Sequence, residues 1–202
     1  MRRQILISIL ILLLSLLLLP GCGLFQSEYE FKGTLIDPPL PVDNFELTAA
    51  NNQPYQLSDA GEDIVLVFFG YTFCPDVCPL TLADVKKALA NFDQRDRVTV
   101  LFISVDPERD TPDVVNQYAT SFDPEFIGLT SDDYANIQVA MEPFGAFAEK
   151  EPVANSAAGY LVNHTARLYL VMPDGGLKLT YPFGFSAEDL RSDLEHLLSS
   201  TG

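Results

Sequence analysis

The stretch "DIVLVFFGYT", residues 63–72, constrains the fold of this chain more than any other. From Ile64 to Phe69 it is unbroken apolar sequence of strand length, rich in β-branched and aromatic residues. A strand with no polar face must be covered on both sides, so this run is expected as a central strand of a sheet, buried on both faces. The next segment carries the stripe of a helix that returns over such a sheet. Pro79 suits a first helical position, and Leu82, Val85, Leu89 and Phe92 follow at three- and four-residue steps.

The alternation continues along the chain. "RVTVLFISVD" reads as a second buried strand, and "DTPDVVNQYATSF" as a helix with Thr111 at its N-cap and Pro112 at its first position. "EFIGLT" reads as a third strand, after which Ser131, Asp132 and Asp133 open another helix. Upstream, "NFELTAANNQPYQLSD" is expected to form a hairpin about Asn51 and Asn52. Between Phe144 and Tyr160 the periodicity dissolves, which marks an insertion or a mobile loop. "HTARLYLVMPDGGLKLTYPF" then makes a hairpin about Asp174, Gly175 and Gly176, and "SAEDLRSDLEHLLSS" a closing helix with a capping box from Ser186 to Asp189. This order specifies an α/β, thioredoxin-like fold: a central mixed sheet flanked by helices, with an N-terminal β-hairpin and an insertion before the C-terminal hairpin.

The first residues bear on location. Arg2 and Arg3 precede an apolar run from Ile5 to Leu19 broken only by Ser8 and Ser15, and Pro20, Gly21 and Cys22 close it. Residues 1–22 are expected to be a secretory signal with a lipoprotein-type cleavage site at Cys22, the lipidated residue, or else an uncleaved membrane anchor. Residues 23–41, ending in "DPPLP", read as a flexible tether, and 42–202 as the folded domain. The domain is thereby expected on the extracytoplasmic face of a bacterial cell membrane. A net charge of −16 argues against a nucleic-acid partner and favours a basic partner face.

With Cys22 assigned to the anchor, Cys74 and Cys78 are the remaining thiols of a three-cysteine chain. Outside the cytoplasm such a pair cycles between dithiol and disulfide, and the loop it closes is too short to serve as a staple. It follows the first central strand, at the carboxyl end where open α/β sheets place their sites. Pro75 and Pro79 disfavour helical conformation at the cysteine before each, so Cys78 is expected at the N-cap of a helix beginning at Pro79. There the free amides and the helix dipole lower a thiol pKa.

Two thiolates and one imidazole suit Cu(I), with Zn(II) as a competitor. Of the two histidines, His196 lies on the closing helix beside acidic residues and reads as a solvated side chain. His164 stands where the irregular segment gives way to a strand; spacing alone does not bring it to the cysteines, and a hydrogen-bonded strand-end histidine is the other reading. Asp106 ends the strand after the cysteine strand and is expected to support the site, whereas Arg109 and Asp110 read as residues decorating a turn.

"FFGYTFCPDVCPLTL", "FISVDPERDTP", "FIGLT" and "NHTARLYLVMPDG", in this order over roughly residues 40–200, resemble the Sco/SenC/PrrC family of copper-binding, membrane-tethered, thioredoxin-like proteins. The resemblance implies that Cys74, Cys78 and His164 are ligands for copper, Cu(I) or Cu(II). It also implies an assembly factor for the dinuclear copper centre of cytochrome c oxidase subunit II, with another copper chaperone as a candidate partner. Asn163 stands where the family usually has Asp, which removes a charge beside His164.

A second reading makes Cys74 and Cys78 the catalytic pair of a thiol-disulfide oxidoreductase or peroxiredoxin-like reductase that keeps target cysteines reduced. Against it, three residues rather than two separate the cysteines, no Trp precedes them, and "NHTARLYL" lacks the proline that thioredoxin-like reductases keep there. With only Met1, Met141 and Met172, the chain is no methionine-type copper carrier.

Overall fold

The computed structural model describes residues 29–153 and 159–200; the leader and Cys22 lie outside the described residues. In chain order the strands are β1 (Thr34–Pro41), β2 (Glu46–Ala49), β3 (Gln53–Gln56), β4 (Ile64–Gly70), β5 (Val98–Ser104), β6 (Phe126–Leu129), β7 (Ala148–Pro152), β8 (Tyr160–His164), β9 (Arg167–Val171) and β10 (Gly176–Pro182). The helices are α1 (Val77–Leu89), α2 (Pro112–Phe122), α3 (Tyr134–Met141) and α4 (Ala187–Ser200).

All seven residues of β4 are buried, and the strand sits inside a six-stranded mixed sheet of order β1-β10-β9-β4-β5-β6. β5 pairs with it in parallel and β9 antiparallel, so its backbone groups are satisfied on both edges. Helices flank this sheet. α1 buries Cys78, Leu82, Val85, Ala88 and Leu89 along one stripe, and α2 starts as the sequence requires, with the Thr111 hydroxyl accepting from the Val114 amide. The hairpin β2–β3 turns through Asn51 and Asn52, both at positive φ, a conformation asparagine tolerates. The β9–β10 hairpin forms about Asp174 and Gly175 as expected.

Four expectations are corrected. The folded unit begins earlier than residue 42: Thr34–Pro41, assigned to the tether, forms edge strand β1 and pairs antiparallel with β10. Its prolines are admissible because an edge strand has one side without a ladder partner, and the register is interrupted between Leu35 and Leu40, where Pro38 and Pro39 fall. The segment read as an insertion or mobile loop contains β7, whose sequence "AEKEP" shows no apolar alternation because most of it is exposed; it pairs with β8 as a separate ribbon. α1 begins at Val77, not Pro79, which places Asp76 at the N-cap and Cys78 inside the first turn. Pro79 fits there because first-turn amides have no intrahelical acceptor to lose. Of the capping box expected at α4, the Asp189 amide bonds the Ser186 hydroxyl, which itself turns to Glu188. Among the described residues, no helix is long and apolar enough to cross a membrane.

Candidate metal centre

β4 delivers the chain to the cysteine loop at its carboxyl end. Asp110, almost wholly buried, fixes the exit: its carboxylate accepts from the Thr72 amide at 2.8 Å, the Thr72 hydroxyl at 2.5 Å and the Ser104 hydroxyl at 2.5 Å. A buried carboxylate without a basic partner is tolerable when several donors satisfy its oxygens. Asp110 is therefore the clamp between β5 and the cysteine loop, not a turn decoration. The loop turns tightly after Tyr71, whose carbonyl accepts from the Cys74 amide at 3.2 Å.

Cys74 is half-buried and Cys78 fully buried, and both are free thiols. The Cys78 amide, one of the unpaired donors of the first turn of α1, points at Cys74 Sγ at 3.3 Å. The bond from the Cys78 side chain, then those from His164 and the Asp76 and Cys78 amides, overcome burial and lower the Cys74 thiol pKa to about 4. Burial first, and then the neighbouring Cys74, push the Cys78 thiol up. This reverses the expectation for Cys78. The lowered pKa belongs to the residue in front of the helix, held down by the Cys78 side chain first and the helix amides last, while Cys78 is turned into the core.

His164 ends β8. Its Nε2 lies 3.5 Å from Cys78 Sγ, and its Nδ1 is 3.3 Å from the Thr165 carbonyl oxygen. In the metal-free chain the ring bonds the Cys74 sulfur as a donor; a proton kept on Nδ1 and donated to the Thr165 carbonyl would free the Nε2 lone pair for an ion. Tyr71 and Phe68 hold the ring edge-on, with centroids 5.8 and 6.2 Å away. Cys74, Cys78 and His164 thus bring one donor atom each within 4.8 Å of one another. Two soft sulfurs and one imidazole on a partly dry floor fit a soft monovalent ion with few ligands. The strand-end hydrogen bond that sequence offered as the other reading of His164 exists as well; it orients the ring rather than competing with the cluster. His196 lies outside this group and is half-buried, its ring 5.5 Å from Phe31, so it is not the solvated side chain expected.

Asp106 is fully buried beside the site, and Oδ1 accepts from the Tyr160 hydroxyl at 2.7 Å and Oδ2 from Arg109 Nε at 2.5 Å. Sequence reasoning missed Arg109 and Tyr160. The signal for the first was the proximity of Arg109 to Asp106 in "DPERDTP"; for Tyr160 there was none, since only the tertiary fold brings it to that loop. Asn163 is exposed and faces Glu149 across the β7–β8 ribbon, away from His164 in the strand alternation. An aspartate there would place like charges opposite each other.

The SCO1/SenC family profile matches residues 36–199. A solution structure of apo Sco1 from Thermus thermophilus is 38% identical, with a TM-score of 0.75 over 85% of this chain and 99% of that one. Copper-bound ScoI from Bradyrhizobium japonicum is 35% identical, with a TM-score of 0.68 over 77% and 98%. Among curated sequences, the mitochondrial Protein SCO1 homolog of Mus musculus is 34% identical over 78% of this chain but 58% of its own length, so this chain spans little more than half of that relative. A profile match of this extent, on a fold shared with two solved Sco proteins, makes the chain a member of the SCO1/SenC family.

Proposed function

We propose that this chain is a copper chaperone, tethered through Cys22 or an uncleaved leader at the extracytoplasmic membrane face. It holds copper at Cys74, Cys78 and His164 and assists assembly of the dinuclear copper centre of cytochrome c oxidase subunit II. The observation that carries the reading is the convergence of two thiol sulfurs and one imidazole nitrogen within 4.8 Å. Copper-bound ScoI, on the same fold, supports the choice of metal. Copper is cargo here. Cys78 is the buried, fixed donor; Cys74 and His164 are half-buried, so an incoming thiolate or imidazole from an acceptor can reach the ion and displace them one at a time. Oxidation of the two thiols to a disulfide, with loss of two electrons and two protons to an external oxidant, removes both sulfur donors and with them the affinity.

A specific observation favours the reductase as a second reading. A partly accessible Cys74, its sulfur bonded by the Cys78 amide and its pKa lowered, stands over a buried Cys78 whose pKa is raised, the arrangement of an attacking and a resolving thiol. One substitution separates the two. Reduced wild-type chain is expected to take one equivalent of Cu(I) from a moderate chelator. His164→Ala, which removes a direct ligand, should weaken binding by about a hundredfold or more, exceeding what loss of an outer hydrogen-bond partner costs. Its rate of thiol-disulfide exchange should be nearly unchanged. Wild-type protein that takes up no stoichiometric Cu(I) would end the copper reading.

A further inference from the structure

The ribbon β7–β8 that carries His164 is not hydrogen-bonded into the six-stranded sheet. Between it and residues 105–108 lies a cavity of about 400 Å³, lined by Val105, Pro107, Glu108, Tyr134, Glu149 and Val162 among others. The ribbon therefore meets the body through separated contacts. At its His164 end, the Phe147 amide and the Thr165 hydroxyl close the ribbon on itself at 3.0 Å, and the Tyr134 hydroxyl of the body bonds the carbonyl of Ala148, the residue opposite His164, at 3.1 Å. Lys150 pairs with Glu108 at 2.5 Å on the exposed side, where an ion pair contributes little.

The Tyr160 end differs. Its hydroxyl donates to the fully buried Asp106, and its carbonyl oxygen accepts from Arg109 Nη1 at 3.1 Å. The Arg109 guanidinium lies 3.7 Å from the Tyr160 ring centre, 4.9 Å from that of Phe73 and 5.7 Å from that of Tyr71. One cation thus touches the ribbon and the entry to the cysteine loop at once. Displacing the ribbon would strip a hydrogen bond from a fully buried carboxylate, which makes this contact costlier to break than the exposed ion pair. Tyr160 and His164 are four residues apart on one strand, hence on the same face. Holding Tyr160 in place therefore holds the strand that carries the imidazole, whose ring is oriented locally by the Thr165 carbonyl.

We propose that Tyr160, Asp106 and Arg109 form a latch that holds the His164 ribbon over the cysteine loop, so that Tyr160 and Arg109 are positioning residues that set how long the metal is retained. This rests on the copper reading above.

Tyr160→Phe removes one hydroxyl from a ring whose packing stays. In the purified full chain it should speed Cu(I) loss to a competing chelator by about tenfold, equivalent to about 1.4 kcal/mol. In the His164→Ala background the same change should have no effect on Cu(I) loss, because the latch acts through that ring. In metal-free protein, the rate at which diethyl pyrocarbonate modifies His164, mapped by mass spectrometry, should rise severalfold. Arg109→Lys, which keeps the charge but loses the planar stack, should behave alike and covers the case of a poorly folding first variant. Unchanged Cu(I) loss and unchanged His164 modification in both variants would overturn the latch, as would an equal effect with and without His164. If wild type took up no Cu(I), the copper reading would fall by itself, and the metal-free modification rates would still decide for or against the latch.

Discussion

Gly70 is the last residue of β4, and a methyl group there would meet the site directly. A Cβ on Gly70 would lie 2.7 Å from Phe102 Cε2 and 2.8 Å from Cys78 Sγ, both fully buried. Carbon and sulfur contacts settle at about 3.5–4.0 Å, so Gly70→Ala forces each neighbour back by roughly 0.8–1 Å. Overpacking of this kind costs about 1–3 kcal/mol. In a chain of this size that lowers the thermal midpoint by roughly 2–12 °C. The same displacement moves a proposed ligand atom several times further than the ~0.2 Å that defined metal geometry tolerates, so Cu(I) affinity should also fall, by about tenfold or more. Gly128→Ala is the control: a Cβ there would strike the Val115 carbonyl oxygen and Asn116 nitrogen of α2, backbone atoms that belong to neither the cysteine loop nor α1. Backbone cannot step aside as a side chain does, so the stability loss should be at least as large, with Cu(I) affinity of the folded protein unchanged. Guanidinium unfolding and chelator competition on both variants measure the two quantities separately. A Gly70→Ala protein with wild-type midpoint and wild-type affinity would refute the close approach of β4 and α1 on which the site geometry rests.

Two further outcomes are expected. Because its pKa is lowered to about 4, Cys74 should remain largely thiolate at every pH above that value; its iodoacetamide alkylation in reduced, metal-free protein should stay nearly flat from pH 8 to pH 5 and fall only below, whereas Cys78 should react slowly throughout. Mass mapping that finds Cys74 reactivity climbing through the ordinary thiol range would contradict this. Asp193, fully buried, accepts from the Lys32 and Gly33 amides and the Tyr181 hydroxyl, and so pins the entry of β1 to α4. Asp193→Ala leaves those donors buried with lost partners and should cost about 2–4 kcal/mol in denaturant unfolding, with Cu(I) stoichiometry intact; an unshifted midpoint would count against it.

Much of this molecule was legible in the order of its residues. The unbroken apolar run Ile64–Phe69 dictates a strand covered on both faces, Thr111 and Pro112 set the start of α2, and Cys74 and Cys78 fall after β4 because a central strand ends where α/β folds expose their loops. Such signals are local: each depends on a repeat of burial within one element or on the chemistry of one cap. What the sequence could not supply depends on pairings between distant segments. "DPPLP" looks like a spacer until β10 offers it an edge, and "AEKEP" like a loop until β8 lies beside it. The hydrogen bond from the Cys78 side chain, which only the folded loop brings to Cys74, lowers the Cys74 pKa, while burial pushes Cys78 up. Tertiary structure alone joined Tyr160 to Asp106 and His164 to Cys78, because a strand outside the main sheet has no sequence periodicity that tells which part of the body it will rest on.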